Sequence, residues 1–184
     1  PTGLRFIEDP GLGGWGGRLQ KSTSSDSTFV GSRDLNPHTR QMSGPYTVMR
    51  WIPAIANDFA ARADWGMTSR FDEANHAPRL VVKGESDPAA VPGQAVRLAV
   101  RADDPDADRL AASWWIYADA GSLTGSASVI GSRRGRDFTG VLSVPESAKP
   151  GERIVVVVDI ADDGSPSLTR HAQFVIAVKS ADQQ

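Results

Sequence analysis

The chain has 184 residues, of which 40% are hydrophobic and 23% charged, proportions typical of a globular protein with one or two domains. Its formal net charge of -2 gives no reason to expect nucleic acid or an anionic membrane as a partner. The absence of cysteine excludes disulfides, thiolate metal sites and cysteine nucleophiles. No apolar run could span a bilayer, and no signal-peptide pattern stands at the start. Because Pro1 is not an initiator residue, we expect a chain that is processed or cut from a longer one.

The first 48 residues are rich in glycine and serine and show little periodicity. Residues 11–18 form a glycine cluster around Trp15, and glycines allow a close approach of chain or ligand. No lysine followed by Ser or Thr ends this run, so it does not match a phosphate-binding loop. We expect a packed or sugar-lining loop.

Residues 53–65 are predicted to form a helix. Pro53 suits the first helical position, and Gly66 is a natural C-terminal stop. Apolar residues recur at three- and four-residue spacing at Ile55, Ala56, Phe59 and Ala63. Because so short a helix is only marginally stable alone, we expect this apolar stripe to be buried.

From residue 77 the sequence changes to a period of two, with turn signals between short apolar runs. Seven strands are predicted, at residues 80–83, 94–102, 110–117, 126–130, 138–144, 153–160 and 172–179. This pattern indicates a mainly β protein whose second part is an immunoglobulin-like, seven-stranded β-sandwich. Trp114 in the third strand is the predicted core tryptophan. Alternation also places apolar residues of the second, sixth and seventh strands on one face of each strand, and we expect these to form the core: Val96, Leu98, Val100, Ile154, Val156, Val158, Phe174, Ile176 and Val178.

The sheet formed by the third, sixth and seventh strands has an unusual outer face. Alternation places Trp115, Tyr117, Val155 and Val157 on that face, which is apolar where a solvated antiparallel sheet is polar. A contiguous apolar patch usually marks an interface. We predict that residues 1–76 cover it. A carbohydrate platform on Trp115 and Tyr117, or an intermolecular partner, is the alternative.

Seven short stretches carry a resemblance to a known family: GGWGGR at 13–18, RWI at 50–52, NDFAARADW at 57–65, NHAP at 75–78, DPDAD at 104–108, WWIY at 114–117 and DGSPSLTR at 163–170. Together they resemble bacterial proteins in which a nucleoside-hydrolase-like domain is followed by the C-terminal domain of cellulose-binding proteins. The resemblance implies that residues 1–76 are the C-terminal part of an α/β hydrolase-like domain and that residues 77–184 are the sandwich.

The same resemblance exposes a difference. The N-terminal aspartate cluster that binds calcium in nucleoside hydrolases is absent from this chain. Either the chain is a fragment, or a second chain supplies the N-terminal hydrolase-like half. We expect that half as a partner, in cis or in trans, and a secreted or periplasmic location in a bacterium.

Asn57 and Asp58 are similar to a late His-Asp element of nucleoside hydrolases. The resemblance implies that both contact the ligand and that Asp58 is a calcium ligand, whereas Asn57 stands in place of the histidine, so acid catalysis is not expected there. The alternative is that Asp58 pairs with Arg62 one helical turn away. A single carboxylate cannot make a metal site.

A second group of aspartates lies in loops of the sandwich. Asp104, Asp106 and Asp108 follow the second strand, and Asp162 and Asp163 follow the sixth. They could bind calcium, or cap the backbone of a solvated turn. The two loops can lie at the same or at opposite ends of the sandwich, and the sequence does not decide between these arrangements.

Two functions stay open. The first is a carbohydrate-associated, cellulose-binding module with a polysaccharide or glycoside ligand. The second is part of a hydrolase of glycosidic bonds whose catalytic aspartates lie elsewhere, so the chain alone should be inactive. Surface aromatics suit a sugar ring, and the candidates are Trp15, Trp65 and Trp115, with Tyr117 beside them.

Overall fold

The computed structural model describes residues 2–25 and 27–180. An N-terminal segment (residues 2–76) carries small hairpins and helices, and a β-sandwich (residues 77–180) follows it. Within the described ranges, no helix combines the length and the apolar character needed to cross a membrane. The assignment of the two parts as separate domains stays a prediction.

The N-terminal segment is built from short elements joined by tight turns. Its elements are β1 (Leu19–Lys21), β2 (Phe29–Gly31), β3 (Asp34–Asn36), β4 (Gln41–Ser43), α1 (Tyr46–Met49) and α2 (Ile52–Met67). β1 pairs with β2 and β3 with β4, both antiparallel. The glycine cluster is a packed loop, since a Cβ on Gly13 would lie 3.2 Å from the Tyr117 hydroxyl oxygen. A Cβ at this position would require Tyr117 to shift, and the φ of 76° at Gly13 is a conformation that other residues rarely adopt.

Helix α2 is longer than predicted and buries a different face. It runs through Gly66, which therefore does not end it. Asp58 is buried, whereas Phe59 is 74% exposed and Ala63 is also exposed. Of the predicted apolar stripe, Ile55 packs on the sandwich. The prediction that the whole stripe is buried is therefore wrong.

Three contacts outside the helix orient α2 and override its hydrophobic periodicity. Trp51, directly before the helix, is 3% exposed and packs on the outer face of the sandwich. Asp58 in the middle pairs with Arg170 at 2.9 Å. Trp65 near the end donates from Nε1 to the carbonyl oxygen of Asn75 at 2.7 Å.

Within residues 77–180 the structure has eight strands in two four-stranded sheets. They are β5 (Arg79–Lys83), β6 (Ala89–Ala90), β7 (Ala95–Asp103), β8 (Leu110–Ile116), β9 (Ser128–Arg134), β10 (Asp137–Ser143), β11 (Arg153–Asp162) and β12 (Thr169–Val178). The sheets have the orders β5-β7-β10-β9 and β6-β12-β11-β8. Apart from β6, which pairs in parallel with β12, this is the arrangement of a constant-type immunoglobulin sandwich. The predicted immunoglobulin-like sandwich is confirmed, and β6 is an eighth strand beyond the seven predicted.

The largest shift from the predicted strands is at β9. The prediction placed this strand at residues 126–130, but β9 extends to Arg134, which pairs with Asp137 across a turn at Gly135. Gly135 has a φ of 62°, which suits that turn. Most β9 side chains are exposed, so the strand lacks the alternation that marks a half-buried strand.

The main core lies between the two sheets. Alternate residues of β7, β11 and β12 point into it as predicted, among them Val96, Leu98, Val100, Ile154, Val156, Val158, Phe174 and Ile176. Trp114 packs against this core as a half-buried residue, and its ring stacks on Phe174 at a centroid distance of 6.0 Å. The predicted packing of Trp114 against the core is thus confirmed.

A second apolar cluster covers the outer face of the β8-β11-β12 sheet. Tyr117, Val155 and Val157 are each 0% exposed, and they pack with Leu12 and Trp51 of the N-terminal segment. The predicted cover is confirmed for these three residues, whereas Trp115, the fourth residue of the predicted face, is half-buried. Burial of these side chains away from water holds the two parts of the chain together.

Candidate functional site

A cavity of about 650 Å³ lies where the N-terminal segment meets the outer face of the sandwich. The side chains that give it its chemistry are Tyr46, Arg50, Trp51, Trp115, Asp119, Asp159 and His171. An apolar, aromatic lining with a few converging polar groups is typical of a small-molecule site. Because the lining comes from both parts of the chain, their packing creates the cavity.

Trp115 on β8 forms the aromatic wall of the cavity. Its ring centroid lies 5.9 Å from that of Trp51 and 5.2 Å from that of Tyr117. Trp115 Nε1 donates a hydrogen bond to Asp159 Oδ2 at 2.9 Å. The ring is therefore fixed in orientation, while part of its surface stays accessible.

A chain of hydrogen-bonded side chains runs from the glycine loop to this wall. Trp15 Nε1 donates to His171 Nε2 at 3.0 Å, and His171 Nδ1 lies 2.8 Å from Asp159 Oδ1. An indole N–H only donates, so Nε2 of His171 accepts and its ring proton sits on Nδ1, which donates to Asp159. His171 is thus neutral in this arrangement, and Asp159 is held by both His171 and Trp115.

Arg50 supplies positive charge to the cavity. Its guanidinium carbon lies 4.3 Å from the ring centroid of Tyr117 and 5.6 Å from that of Trp115. Arg50 Nη2 is 3.1 Å from Asp34 Oδ2 and 3.4 Å from Asp119 Oδ2. Contacts with two carboxylates and two aromatic faces hold the guanidinium in one place, so it is pre-organised for a ligand.

This combination of groups has the chemistry of a sugar site. An indole ring offers a flat apolar surface that matches the apolar face of a pyranose. The carboxylates of Asp119 and Asp159 can accept hydrogen bonds from the hydroxyl groups of a ligand, and Arg50 can donate to such groups. The polar groups lie beside the aromatic wall, so one ligand can use both.

The prediction that Tyr117 contacts a ligand is wrong. Its side chain is 0% exposed, and its hydroxyl donates to Asp34 Oδ2 at 2.6 Å. Burial raises the pKa of this hydroxyl, and the hydrogen bond to Asp34 raises it further, so the group stays protonated. The outward direction predicted for Tyr117 is right, but the N-terminal segment seals that position from any ligand.

The other two predicted tryptophans are half-buried and lie outside the lining of the cavity. Trp15 donates its N–H to His171 and supports the site from behind. Trp65 stacks on His76 at a centroid distance of 5.3 Å and borders a separate cavity of about 570 Å³. Of the three candidates, the structure brings Trp115 alone to the lining of the larger cavity.

Asn57 and Asp58 connect α2 to the sandwich. Asn57 Nδ2 donates to the carbonyl oxygen of Ser167 at 2.8 Å. Asp58 Oδ2 lies 2.6 Å from Arg62 Nε, and Oδ1 lies 2.9 Å from Arg170 Nη2. Burial alone would raise the pKa of Asp58, but the hydrogen bonds from the two arginines outweigh it and lower that pKa.

These pairings correct the predicted role of Asp58 as a calcium ligand. Two guanidinium groups already neutralise its carboxylate, and both oxygens are occupied. The ion pair with Arg62, which was the alternative prediction, is present. A carboxylate in this state does not fit a calcium site.

Asp104, Asp106 and Asp108 do lie together, with one carboxylate oxygen of each within 4.8 Å of the others. Asp104 Oδ1 also accepts from the backbone N–H groups of Asp106 and Asp108, which is the capped turn of the alternative prediction. The loop after β11 meets this loop, since Asp163 Oδ1 accepts from the N–H of Arg109 at 2.8 Å. Both acidic loops are therefore at the same end of the sandwich.

Six of the chemically important residues that line the larger cavity were not predicted as site residues: Tyr46, Arg50, Trp51, Asp119, Asp159 and His171. Asp159 and His171 stand directly opposite each other on β11 and β12 and continue the outward alternation of these strands. That alternation was a signal in the sequence. Arg50 and Trp51 belong to the RWI stretch. Their spacing alone does not distinguish residues that line a cavity from residues that only precede a helix.

Residues 95–178 match the family described as "Cellulose-binding protein Sde0182, C-terminal domain". No curated protein is significantly similar to the chain in sequence. Two distant similarities are to the first immunoglobulin domain of Dpr1 and to the filamin domain of Lin-41, with 16% and 15% identity and TM-scores of 0.38 and 0.33. They cover 56% and 57% of this chain, and 98% and 96% of those chains.

One solved structure is similar over nearly the whole chain. It is a nucleoside hydrolase-related hypothetical protein from Saccharophagus degradans that is associated with carbohydrate metabolism, with 28% identity and a TM-score of 0.72. The similarity covers 97% of this chain and 45% of that one, so the chain spans less than half the length of this relative. The resemblance indicated by the sequence motifs is therefore confirmed. Residues 95–178 match the C-terminal domain of the cellulose-binding protein family, and nearly the whole chain resembles the nucleoside hydrolase-related protein.

Proposed function

We propose that this chain is a carbohydrate-binding module that holds a sugar in the cavity between the N-terminal segment and the sandwich. The observation that carries the proposal is the Trp115 ring, fixed by Asp159 and partly accessible, in a cavity that also contains Arg50 and Asp119. The name of the matching family and the association of the structural relative with carbohydrate metabolism support it.

The shape of the site favours one kind of carbohydrate. A crystalline polysaccharide surface needs a flat row of exposed aromatic rings, whereas Trp115 and Tyr46 stand inside a cavity. A single chain end or a short oligosaccharide can enter such a cavity. We therefore propose a cello-oligosaccharide or a cellulose chain end as the ligand, stacked on Trp115 with its hydroxyls on Asp119 and Arg50.

The test is isothermal titration with cellohexaose, together with a pull-down on amorphous cellulose. Asp119→Asn keeps the shape of the site and removes its charge, and Tyr46→Ala removes part of the wall. Both variants should bind at least about tenfold more weakly, since each loses a hydrogen bond to a charged group or an aromatic contact. Phe59→Ala is the matched control, because Phe59 is 74% exposed and outside the cavity lining.

Two results would contradict the proposal. In the first, the wild-type protein gives no heat with cellohexaose and stays in the supernatant with cellulose. In the second, Asp119→Asn and Tyr46→Ala bind as the wild type does, while Phe59→Ala or Trp65→Ala loses binding. The second result would move the site to α2.

We further propose that the N-terminal segment completes a hydrolase-like domain whose other half belongs to the parent protein, in cis or as a second chain. The coverage of 97% of this chain and 45% of the relative supports this proposal. So does the solvent side of α2, where Ile52, Phe59 and Met67 are 48%, 74% and 88% exposed and form an apolar stripe suited to an interface. A secreted or periplasmic location stays a prediction.

A further inference from the structure

A group of oxygen atoms without partners lies where the loops after β7 and β11 meet the segment that follows α2. Asp162 is 4% exposed and Asn75 is 8% exposed. Asp162 Oδ2, Asn75 Oδ1 and Asp104 Oδ2 are all buried and have no hydrogen-bond partner. Leaving each such acceptor unpaired costs about 1–3 kcal/mol, so three together call for a bound group that supplies positive charge.

The partner atoms on the same side chains show that these oxygens are held in place. Asp162 Oδ1 accepts from the N–H of Leu168 at 2.8 Å, from that of Gly164 at 3.1 Å and from Asn75 Nδ2 at 3.0 Å. Asp104 Oδ1 accepts from two backbone N–H groups of its own loop. One oxygen of each carboxylate is therefore fully used, which leaves the other one fixed and free.

Asp108 and Asp106 add two further carboxylates next to these unpartnered oxygens. A Cβ on Gly164 would lie 2.5 Å from Asp108 Oδ2 and would also meet the Asn75 amide, so the side chains of Asp108 and Asn75 converge. Asp106 lies beside Asp108, but it accepts from the N–H of His76 at 2.6 Å. Asp106 thus belongs to the same group of carboxylates as Asp104 and Asp108, and the N–H of His76 fixes its position.

The electrostatics agree with this geometry. Burial raises the pKa of Asp108, and the nearby charges of Asp104 and Asp162 raise it further. Burial also raises the pKa of Asp162, despite the hydrogen bonds that it accepts. Among the described residues, no lysine or arginine forms a salt bridge with Asp104, Asp108 or Asp162 to offset this repulsion.

We propose that Asp104, Asp106 and Asp108, whose carboxylate oxygens lie within 4.8 Å of one another, bind a calcium ion together with the buried, unpartnered oxygens of Asp162 and Asn75. Calcium prefers hard oxygen ligands, takes six to eight of them and tolerates irregular geometry, and waters would complete the shell. A set made only of carboxylate and amide oxygens suits calcium better than zinc, which prefers nitrogen and sulfur ligands.

The proposed ion would join the two parts of the chain. Asn75 belongs to the N-terminal segment, whereas the four aspartates belong to the sandwich. The neighbouring His76 stacks between Trp65 and Phe71, at centroid distances of 5.3 and 3.8 Å, and donates its backbone N–H to Asp106. Calcium would thus fix the end of α2 against the sandwich, independently of any sugar in the larger cavity.

The experiment is isothermal titration of the chelator-treated, full chain with calcium chloride, with magnesium chloride as the competing metal. Asp162→Asn is the sharpest variant, because the asparagine oxygen can still accept from Leu168 and Gly164 while its amide replaces the free oxygen. Asp108→Asn tests a half-buried ligand whose change leaves these bonds intact. Asp137→Asn is the control, an exposed aspartate on β10 outside both acidic loops.

We expect the wild type and Asp137→Asn to bind one calcium ion and to melt at a higher temperature in calcium than in magnesium. Asp162→Asn and Asp108→Asn should each weaken calcium binding at least about tenfold, because each removes a charged ligand. The proposal is overturned if the wild type gives no heat at millimolar calcium. It is also overturned if a folded Asp108→Asn variant binds calcium as the wild type does.

Discussion

Replacing Asp58 with alanine should destabilise the protein by removing the ion pair that fixes α2 on the sandwich. The side chains of Asp58 and Arg170 are 8% and 16% exposed, whereas that of Arg62 is 58% exposed. Breaking a fully buried pair costs about 3–5 kcal/mol, and an exposed helical pair contributes about 0.3–0.5 kcal/mol. Because Arg170 keeps some contact with water, we expect a loss of about 2–3 kcal/mol, most of it from the pair with Arg170.

The assay is urea unfolding at pH 7, with a double-mutant cycle for each arginine. A loss of this size lowers the melting temperature by about 4–12 °C for a chain of this length. The coupling of Asp58 with Arg170 should exceed about 1 kcal/mol, and that with Arg62 should stay near or below about 0.5 kcal/mol. Equal coupling energies with the two arginines, or an unchanged melting temperature in Asp58→Ala, would refute the idea that the Asp58–Arg170 ion pair fixes α2 on the sandwich.

The same pair predicts a pH dependence. The folded-state pKa of Asp58 is lowered, so its contribution to stability is fully present above the unfolded-state pKa of about 3.9. The contribution is lost as the pH falls through the lower, folded-state pKa, because the unfolded chain takes up the proton first. The stability difference between wild type and Asp58→Ala should therefore shrink below about pH 4 and be constant from pH 5 to 7.

Two further outcomes are expected. Gly140→Ala should lower the free energy of unfolding in urea by about 1–3 kcal/mol, since its Cβ would lie 2.5 Å from Trp114 Cε3. Gly31→Ala, which has open space around it, should leave that free energy nearly unchanged. Equal effects of the two substitutions would contradict this packing. The chain alone should not hydrolyse nucleosides or aryl glycosides, because Asp58 is neutralised by two arginines; turnover by the purified chain that disappears in Asp58→Ala would show that this carboxylate is catalytic.

Much of the sandwich could be predicted from the sequence, because strand structure follows a local period of two. Alternation along β7, β11 and β12 identified the residues of the core, and the apolar residues left on the outer face indicated that another part of the chain covers them. Strand β9 shows the limit of this reasoning, since its exposed side chains carry no such signal.

The sequence by itself thus determined most strands of the sandwich and which sheet face needed a cover, because both depend on spacing along the chain. Only the tertiary structure decided which face of α2 is buried, that Tyr117 is sealed, and that both acidic loops lie at one end. The contacts that settle these points join distant residues, such as Trp15 with His171 across 156 positions and Asn75 with Asp162 across 87. Such pairings depend on how the two sheets pack together and how α2 packs on them. Local periodicity in the sequence predicts neither arrangement.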